Sequence, residues 1–342
     1  MRIALVTDAW APQMNGVVRT LQAVIARLRK AGHEICVVSP DQYFSVPCPS
    51  YPEIRLALAS TASVSRKIID FAPDAIHIAT EGPLGLAARR YCLRAELPFT
   101  TAYHTQFPDY VARRLHVSAD YIWPYIRWFH SPAEQIMVAT PSIRSQLAEN
   151  GLERLTHWGR GVDLECFGPD VPAAEFYADL PRPIQLYVGR VAVEKNIEAF
   201  LETNHPGSKV VVGAGPALEA LKAAYPYAHF VGAKRGRDLA SYYAGADVFV
   251  FPSRTDTFGL VMIEALASGT PVAAYPVAGP QDIIRDGVGV LDEDLQSAIA
   301  QALSCDRCAA ARYGRTFSWE TSAEQFLQSL TPIQSPSAAE AA

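Results

Sequence analysis

Arg2-Ile3-Ala4-Leu5-Val6-Thr7-Asp8 opens the chain with an unbroken apolar run closed by two polar residues. A run this short, without alternation, reads as a strand covered on both faces. Residues 17–31 then carry helical periodicity and stop at Gly32, a glycine C-cap signal. A second apolar run follows at 35–39. Strand, helix and strand in this order form the crossover that parallel pairing requires. The beat continues through 75–78, 99–103 and 137–140. It restarts at 185–188, 209–212, 228–231, 248–251 and 271–274. The predicted fold is α/β, with two doubly wound, Rossmann-like parallel-sheet domains facing a cleft.

At 342 residues the chain exceeds the size at which one core stops growing, in keeping with two domains. The expected boundaries are 1–165, a linker at 166–183, a second domain at 184–317 and a helix at 318–330 returning to the first. Pro169, Pro172, Pro181 and Pro183 mark the linker. Residues 331–342 are small and polar, and disorder is expected there.

With 49% hydrophobic and 19% charged residues, the composition is that of a globular protein. Residues 1–160 carry 17 Lys+Arg against 13 Asp+Glu, a balance of +4; the remainder carries 13 against 22, or −9. A basic first half suits an anionic membrane surface or substrate, or is scattered surface charge. No nucleic-acid partner is expected, and the oligomeric state stays open. No apolar run reaches the roughly 18 residues a spanning helix needs. The opening strand does not resemble a signal peptide. Cys36, Cys48, Cys92, Cys166, Cys305 and Cys308 show no disulfide framework. The lone Cys305-x-x-Cys308 has no second pair for zinc. The expectation is a cytoplasmic protein, soluble or peripheral, with no metal and no cofactor.

The chemistry-bearing residues fall at strand ends, where doubly wound sheets bind ligands. Arg190 and Lys195 follow the run 185–188, and Asn196 opens a helix. A fork of planar donors and a mobile ammonium suit a nucleotide diphosphate leaving group. Their bland reading is a solvated pair, disfavoured at a helix start. The stretch Thr255-Asp256-Thr257-Phe258-Gly259-Leu260-Val261-Met262-Ile263-Glu264 sets two carboxylates around a helix start. Unpaired amides of Phe258, Gly259 and Leu260 suit an anion. Asp256 would accept sugar hydroxyls and Glu264 ribose hydroxyls. The bland reading makes Asp256 an N-cap and Glu264 a solvated acid.

Arg190-x4-Lys195, the acid-x7-acid pair and the following Gly269-Thr270-Pro271 resemble retaining glycosyltransferase family 4, of GT-B fold. The resemblance runs from the first strand to Phe317-Ser318-Trp319-Glu320. Residues 6–16 and 103–110 are similar to its lipid glycosyltransferases, such as sulfoquinovosyl diacylglycerol synthases. The family often has Glu where Asp256 stands, although the sulfolipid-type branch often has Asp, which leaves the sugar open.

The resemblance implies that Gly16 lets a loop approach the donor diphosphate; Asn15-Gly16 is also an ordinary turn signal. It implies that His104 lies by the donor sugar, and that the loop Gly232-Ala233-Lys234-Arg235-Gly236 reads the base. Asp8 and Trp10 would shape the acceptor mouth. Gly213-Ala214-Gly215-Pro216 lacks the third glycine of a dinucleotide fingerprint, and Gly279-Pro280-Gln281-Asp282 departs from the family pattern. Arg113, Arg114, Trp123, Arg127 and Trp128 crowd one amphipathic stretch, suited to a bilayer headgroup boundary. Its bland reading is a helix pair over the acceptor pocket.

The expected activity is metal-independent retaining transfer of a hexose to a membrane lipid, with diacylglycerol the favoured acceptor. UDP-glucose or UDP-glucuronate is the favoured donor, with GDP-mannose as the alternative. A dinucleotide oxidoreductase would need Gly-x-Gly-x-x-Gly after the first strand, which residues 8–16 do not supply. A non-catalytic sugar-nucleotide binding protein has only Asp256 in its favour.

Overall fold

A computed structural model describes residues 1–13, 15–48, 51–104 and 118–333. The strands are β1 (Arg2–Val6), β2 (Glu34–Val38), β3 (Ser45–Cys48), β4 (Tyr51–Ala57), β5 (Ala75–Ile78), β6 (Thr100–Tyr103), β7 (Gln135–Val138) and β8 (Leu155–His157), then β9 (Ile184–Val188), β10 (Ser208–Val212), β11 (His229–Phe230), β12 (Val248–Phe251), β13 (Val272–Ala274) and β14 (Gly289–Leu291). The helices are α1 (Gly16–Lys30), α2 (Thr61–Phe71), α3 (Pro83–Arg94), α4 (Trp123–His130), α5 (Pro141–Glu149), α6 (Ile197–Leu201) and α7 (Leu218–Ala224), then α8 (Gly236–Gly245), α9 (Leu260–Ala267), α10 (Pro280–Ile283), α11 (Leu295–Ala302), α12 (Arg307–Gly314) and α13 (Trp319–Ser329).

The chain divides into two compact units. Unit 1 is Met1–Gly159 together with the chain from Trp319 onward, and unit 2 is Arg160–Ser318. Unit 1 holds a parallel sheet in the order β2-β1-β5-β6-β7-β8, and unit 2 one in the order β11-β10-β9-β12-β13-β14. Leaving out the antiparallel β3-β4 hairpin, unit 1 winds 2-1-3-4-5-6, the flavodoxin-like order with one more strand. Unit 2 winds 3-2-1-4-5-6, the order of dinucleotide-binding folds. Each sheet therefore has a point where its winding reverses: β1 beside β5, and β9 beside β12.

The central strands are buried along their whole length, as in β12 (Val248-Phe249-Val250-Phe251) and β9. Burial on both faces is why they read as apolar runs without alternation. The two edge strands β8 and β14 escaped the sequence reading. Each has three residues, and the half-buried Leu155-Thr156-His157 carries polar side chains that an edge tolerates. The hairpin was missed for the same shortage of pattern.

The proline-rich interval 166–183, read as a linker, instead packs on unit 2. Phe167 meets the Tyr243 ring edge-on at 5.8 Å, and Tyr177 Oη donates to the Tyr242 carbonyl. Arg182 pairs with Asp247 at 2.6 Å. Its aromatic residues anchor a segment that carries a 3-10 turn at Glu175–Tyr177. Helix α13 packs on α1 within unit 1. Its Phe326 is fully buried against His77 and Trp158.

Candidate active site

In unit 2 the side chains converge at the β9/β12 reversal. After β9, a turn is closed by Tyr187 Oη donating to the Arg190 carbonyl. A 3-10 turn over Val193–Lys195 then ends at Asn196 in the left-handed region, φ +54°. The Asn196 side-chain amide donates to the Pro252 carbonyl after β12, at 3.1 Å. This side-chain tie fixes the loop bearing Lys195 to the loop bearing Asp256. Across it, Lys195 Nζ lies 2.6 Å from Asp256 Oδ1. Burial pushes the Asp256 carboxyl up, but the Lys195 charge and hydrogen bond outweigh it and hold the group below the usual 3.8. Ser253 Oγ and Asp256 Oδ2 are buried together there, and the Ser253 hydroxyl also helps to hold the carboxyl down.

Three residues beyond Asp256, Gly259 caps α9 with φ +85°. That φ is one L side chains rarely adopt, so the helix start favours glycine. Glu264, in the second turn of α9, is buried and accepts from Tyr243 Oη at 3.1 Å. Gly279, whose part the sequence left open, backs this loop. Its Cβ would lie 2.7 Å from the Asp256 carbonyl oxygen. The Gly213-Ala214-Gly215 turn is explained by backbone packing. Cβ atoms at Gly213 and Gly215 would strike the Gly189 and Val191 carbonyls, while Val191 N donates to Ala214 O.

In unit 1, His104 follows β6 and meets the Trp158 ring edge-on at 5.3 Å. Trp158 is fully buried, and its Nε1 donates to the Ser322 carbonyl and hydroxyl of α13. Helix α13 thus sets the ring against which His104 rests. Asn15 caps α1 by accepting from Val18 N, and Gly16 is the exposed first residue of that helix.

Asp8, placed by the sequence at the acceptor mouth, is buried and spoken for. Its carboxylate accepts from Leu84 N at 2.9 Å, Gly85 N at 3.3 Å and Thr80 Oγ1 at 3.0 Å. It caps α3 from another element, and Gly82 leaves room: a Cβ there would lie 2.4 Å from Asp8 Cγ. Burial raises its carboxyl above 3.8 despite these donors. Trp10 is half-buried in the same loop, where Gln13 N donates to its carbonyl.

Residues 14–166 match Glycosyltransferase Family 4, and residues 182–305 match Glycosyl transferases group 1. A GDP-mannose-dependent alpha-mannosyltransferase of Mycobacterium tuberculosis is 32% identical over 331 residues, 88% of this chain and 87% of that protein. The chain belongs to glycosyltransferase family 4.

The glycosyltransferase is also 27% identical to an alpha-monoglucosyldiacylglycerol synthase of Streptococcus pneumoniae, over 89% of this chain and 78% of that one. Its fold is similar to that of sucrose-phosphate synthase from Thermosynechococcus elongatus, with TM-score 0.77, 24% identity, and 96% and 97% of the two chains covered. Both units are therefore those of a GT-B glycosyltransferase.

Not every expected residue joins the reversal point. Lys234 turns onto the helix that follows it, pairing with Asp238 at 3.3 Å and lying 5.5 Å over the Tyr242 ring. An open cavity of about 710 Å³ along β11 is lined by Phe176, His229, Lys234 and Tyr242, and holds none of the β9/β12 residues. Gly232, φ +74°, accepts from Gly213 N and so joins the β10 and β11 loops. Trp123 is buried in the core rather than facing outward, whereas Trp128 is 51% exposed. Arg127 is exposed and reaches the Asn150 carbonyl. Arg113 and Arg114 lie outside the described residues.

Sequence reasoning passed over Glu81 and His130. His130 is fully buried, with Nδ1 2.9 Å from Thr101 Oγ1 and Nε2 3.1 Å from Glu81 Oε1. Nothing in local spacing joins residues 49 apart.

Proposed function

We propose that the protein is a retaining hexosyltransferase that moves sugar from a nucleotide diphosphate to a membrane lipid, with diacylglycerol the favoured acceptor. The observation carrying this reading is the Lys195–Asp256 pair at the winding reversal of unit 2, beside the glycine-capped start of α9. Cation and helix start suit the diphosphate, and the Asp256 carboxylate and Ser253 hydroxyl suit sugar hydroxyls. In this reading Arg190 and Lys195 balance the charge that develops as the C1–O bond to the diphosphate breaks. Glu264 takes the ribose, and His104 serves the transferred sugar. The new C1–O bond forms on the same face, and the acceptor proton passes to the departing phosphate oxygen. Fixed cations take the part that a metal plays elsewhere.

UDP-glucose or UDP-glucuronate remains the favoured donor, and the relative that makes monoglucosyldiacylglycerol supports a lipid acceptor. The mannosyltransferase relative favours a second reading, with GDP-mannose as donor. The test is mass spectrometry of lipids after incubating purified protein with diacylglycerol and a panel of UDP- and GDP-sugars, with and without EDTA. One glycolipid, formed equally with EDTA, is expected. Hydrolysis of donor alone, or loss of product with EDTA, overturns the reading.

A further inference from the structure

We infer that Glu81 binds the hydroxyl of the incoming acceptor, and that His130 positions it. The inference rests on the transferase reading and adds the residue that would recognise the acceptor's alcohol. Unit 1 has its own winding reversal, between β1 and β5, and the loops after these two strands carry Asp8 and Glu81. Ligands of doubly wound sheets bind at such points. The two carboxylates there differ in what they have left to offer.

Asp8 is consumed by two amides of α3 and the Thr80 hydroxyl, which leaves it a structural cap. Glu81 spends one oxygen only. Its Oε1 accepts from His130 Nε2, whose Nδ1 faces Thr101 Oγ1, so the imidazole relays an orientation from β6 to the carboxylate. Its main chain is pinned by Tyr125 Oη donating to the Glu81 carbonyl. Glu81 Oε2 takes no hydrogen bond among the described residues, and the side chain keeps 17% exposure. A carboxylate held at one oxygen, with the other open at a strand end, is an oriented acceptor for an alcohol O–H as the alcohol docks, before that proton turns to the departing phosphate oxygen. A purely structural pair would more economically spend both oxygens, as Asp8 does.

Glu81→Gln separates the two roles. Its amide oxygen still accepts from His130, but its NH2 presents a donor where an alcohol needs an acceptor. On whichever alcohol wild type turns over, from a panel of diacylglycerols and short soluble alcohols, acceptor KM should rise about tenfold or more. The Kd for UDP and GDP alone, read by titration calorimetry, should stay within twofold. His130→Asn, which shortens the arm, should give a smaller rise that leaves nucleotide binding untouched. Unchanged acceptor KM in Glu81→Gln overturns the inference, as does an equal loss of nucleotide affinity. Should Glu81→Gln fail to fold, Glu81→Asp carries the same test, with the charge kept one methylene short. Absence of transfer by wild type to any alcohol counts against the functional reading instead; the ratio of variant to wild type judges Glu81.

Discussion

Lys195 Nζ and Asp256 Oδ1 stand 2.6 Å apart, joining two loops whose residues are 61 positions apart in the chain. The pair places a mobile cation and a carboxylate side by side at the end of the same two strands. The Lys195 charge and hydrogen bond hold Asp256 below the usual carboxylate range in spite of burial. Lys195→Ala removes a donor aimed at a developing charge and leaves Asp256 with an uncompensated buried oxygen. Turnover at saturating donor should fall about 100-fold or more. Steady-state kinetics decide it, and a near-native kcat would remove Lys195 from the mechanism.

Gly279 makes a separate prediction about the same carboxylate. Its φ of +93° strains any other residue, and a Cβ would stand 2.7 Å from the Asp256 carbonyl oxygen. Since this obstacle is backbone, Gly279→Ala must move the Asp256 loop. Donor KM should rise several-fold while the acceptor KM holds. An unchanged donor KM would mean that the loop yields without carrying Asp256.

How far the sequence could be read follows from these pairs. Lys195, Asp256, Gly259 and Glu264 were legible because each stands just after a strand or at a helix start, where local pattern marks position. The central strands were legible because burial on both faces leaves a run of apolar residues. Asp8 shows the limit: a carboxylate after β1 looks available until α3, more than seventy residues on, is seen to claim it. Glu81 and His130 were invisible for the same reason, since their meeting is made by tertiary packing. Edge strands of three residues carry too little pattern to stand out.

His77 should make unit 1 acid-sensitive. It is fully buried, bonded through Nδ1 to Thr100 Oγ1, and packed edge-on against Phe326. Burial pushes its imidazole down from 6.5 to about 3. Between those values the unfolded chain binds a proton that the folded one refuses, so stability falls as pH drops. The contribution is fully present above 6.5 and should shrink by about 2 kcal/mol by pH 5. Urea unfolding of wild type and His77→Leu at pH 7 and pH 5 reads the slope. The same slope in both proteins would assign the effect elsewhere.

Helix α13 should be needed for activity although it brings no reactive group. Trp158 Nε1 donates twice to Ser322, and the His104 ring meets the Trp158 ring edge-on. Trp158→Phe keeps most of the apolar volume and leaves a buried carbonyl and hydroxyl short of one donor, at a cost of about 1–3 kcal/mol. The kcat should fall more than the donor KM changes, because the orientation of His104 is loosened rather than removed. Ser322→Ala takes away only the hydroxyl, and should give a smaller loss in both melting temperature and kcat. A Trp158→Phe variant that melts lower yet turns over normally would break the link to His104.

The helix α4 surface divides into a structural and an outward part, and vesicles should tell them apart. Trp123 is buried, while Trp128 stands half-exposed with the Arg89 guanidinium 4.0 Å over its ring. Arg89 also holds the carbonyls of Trp128 and Phe129, so the indole is presented on a fixed backbone. No helix among the described residues is long and apolar enough to cross a membrane. An exposed Trp beside the exposed Arg127 is the combination that favours a headgroup boundary. Trp128→Ala with Arg127→Ala should therefore weaken co-sedimentation with anionic vesicles more than with neutral ones. Trp123→Ala should instead destabilise the fold by about 3–5 kcal/mol and leave the vesicle affinity of the folded protein unchanged. Equal binding of wild type to both vesicle types would leave Trp128 an ordinary surface residue.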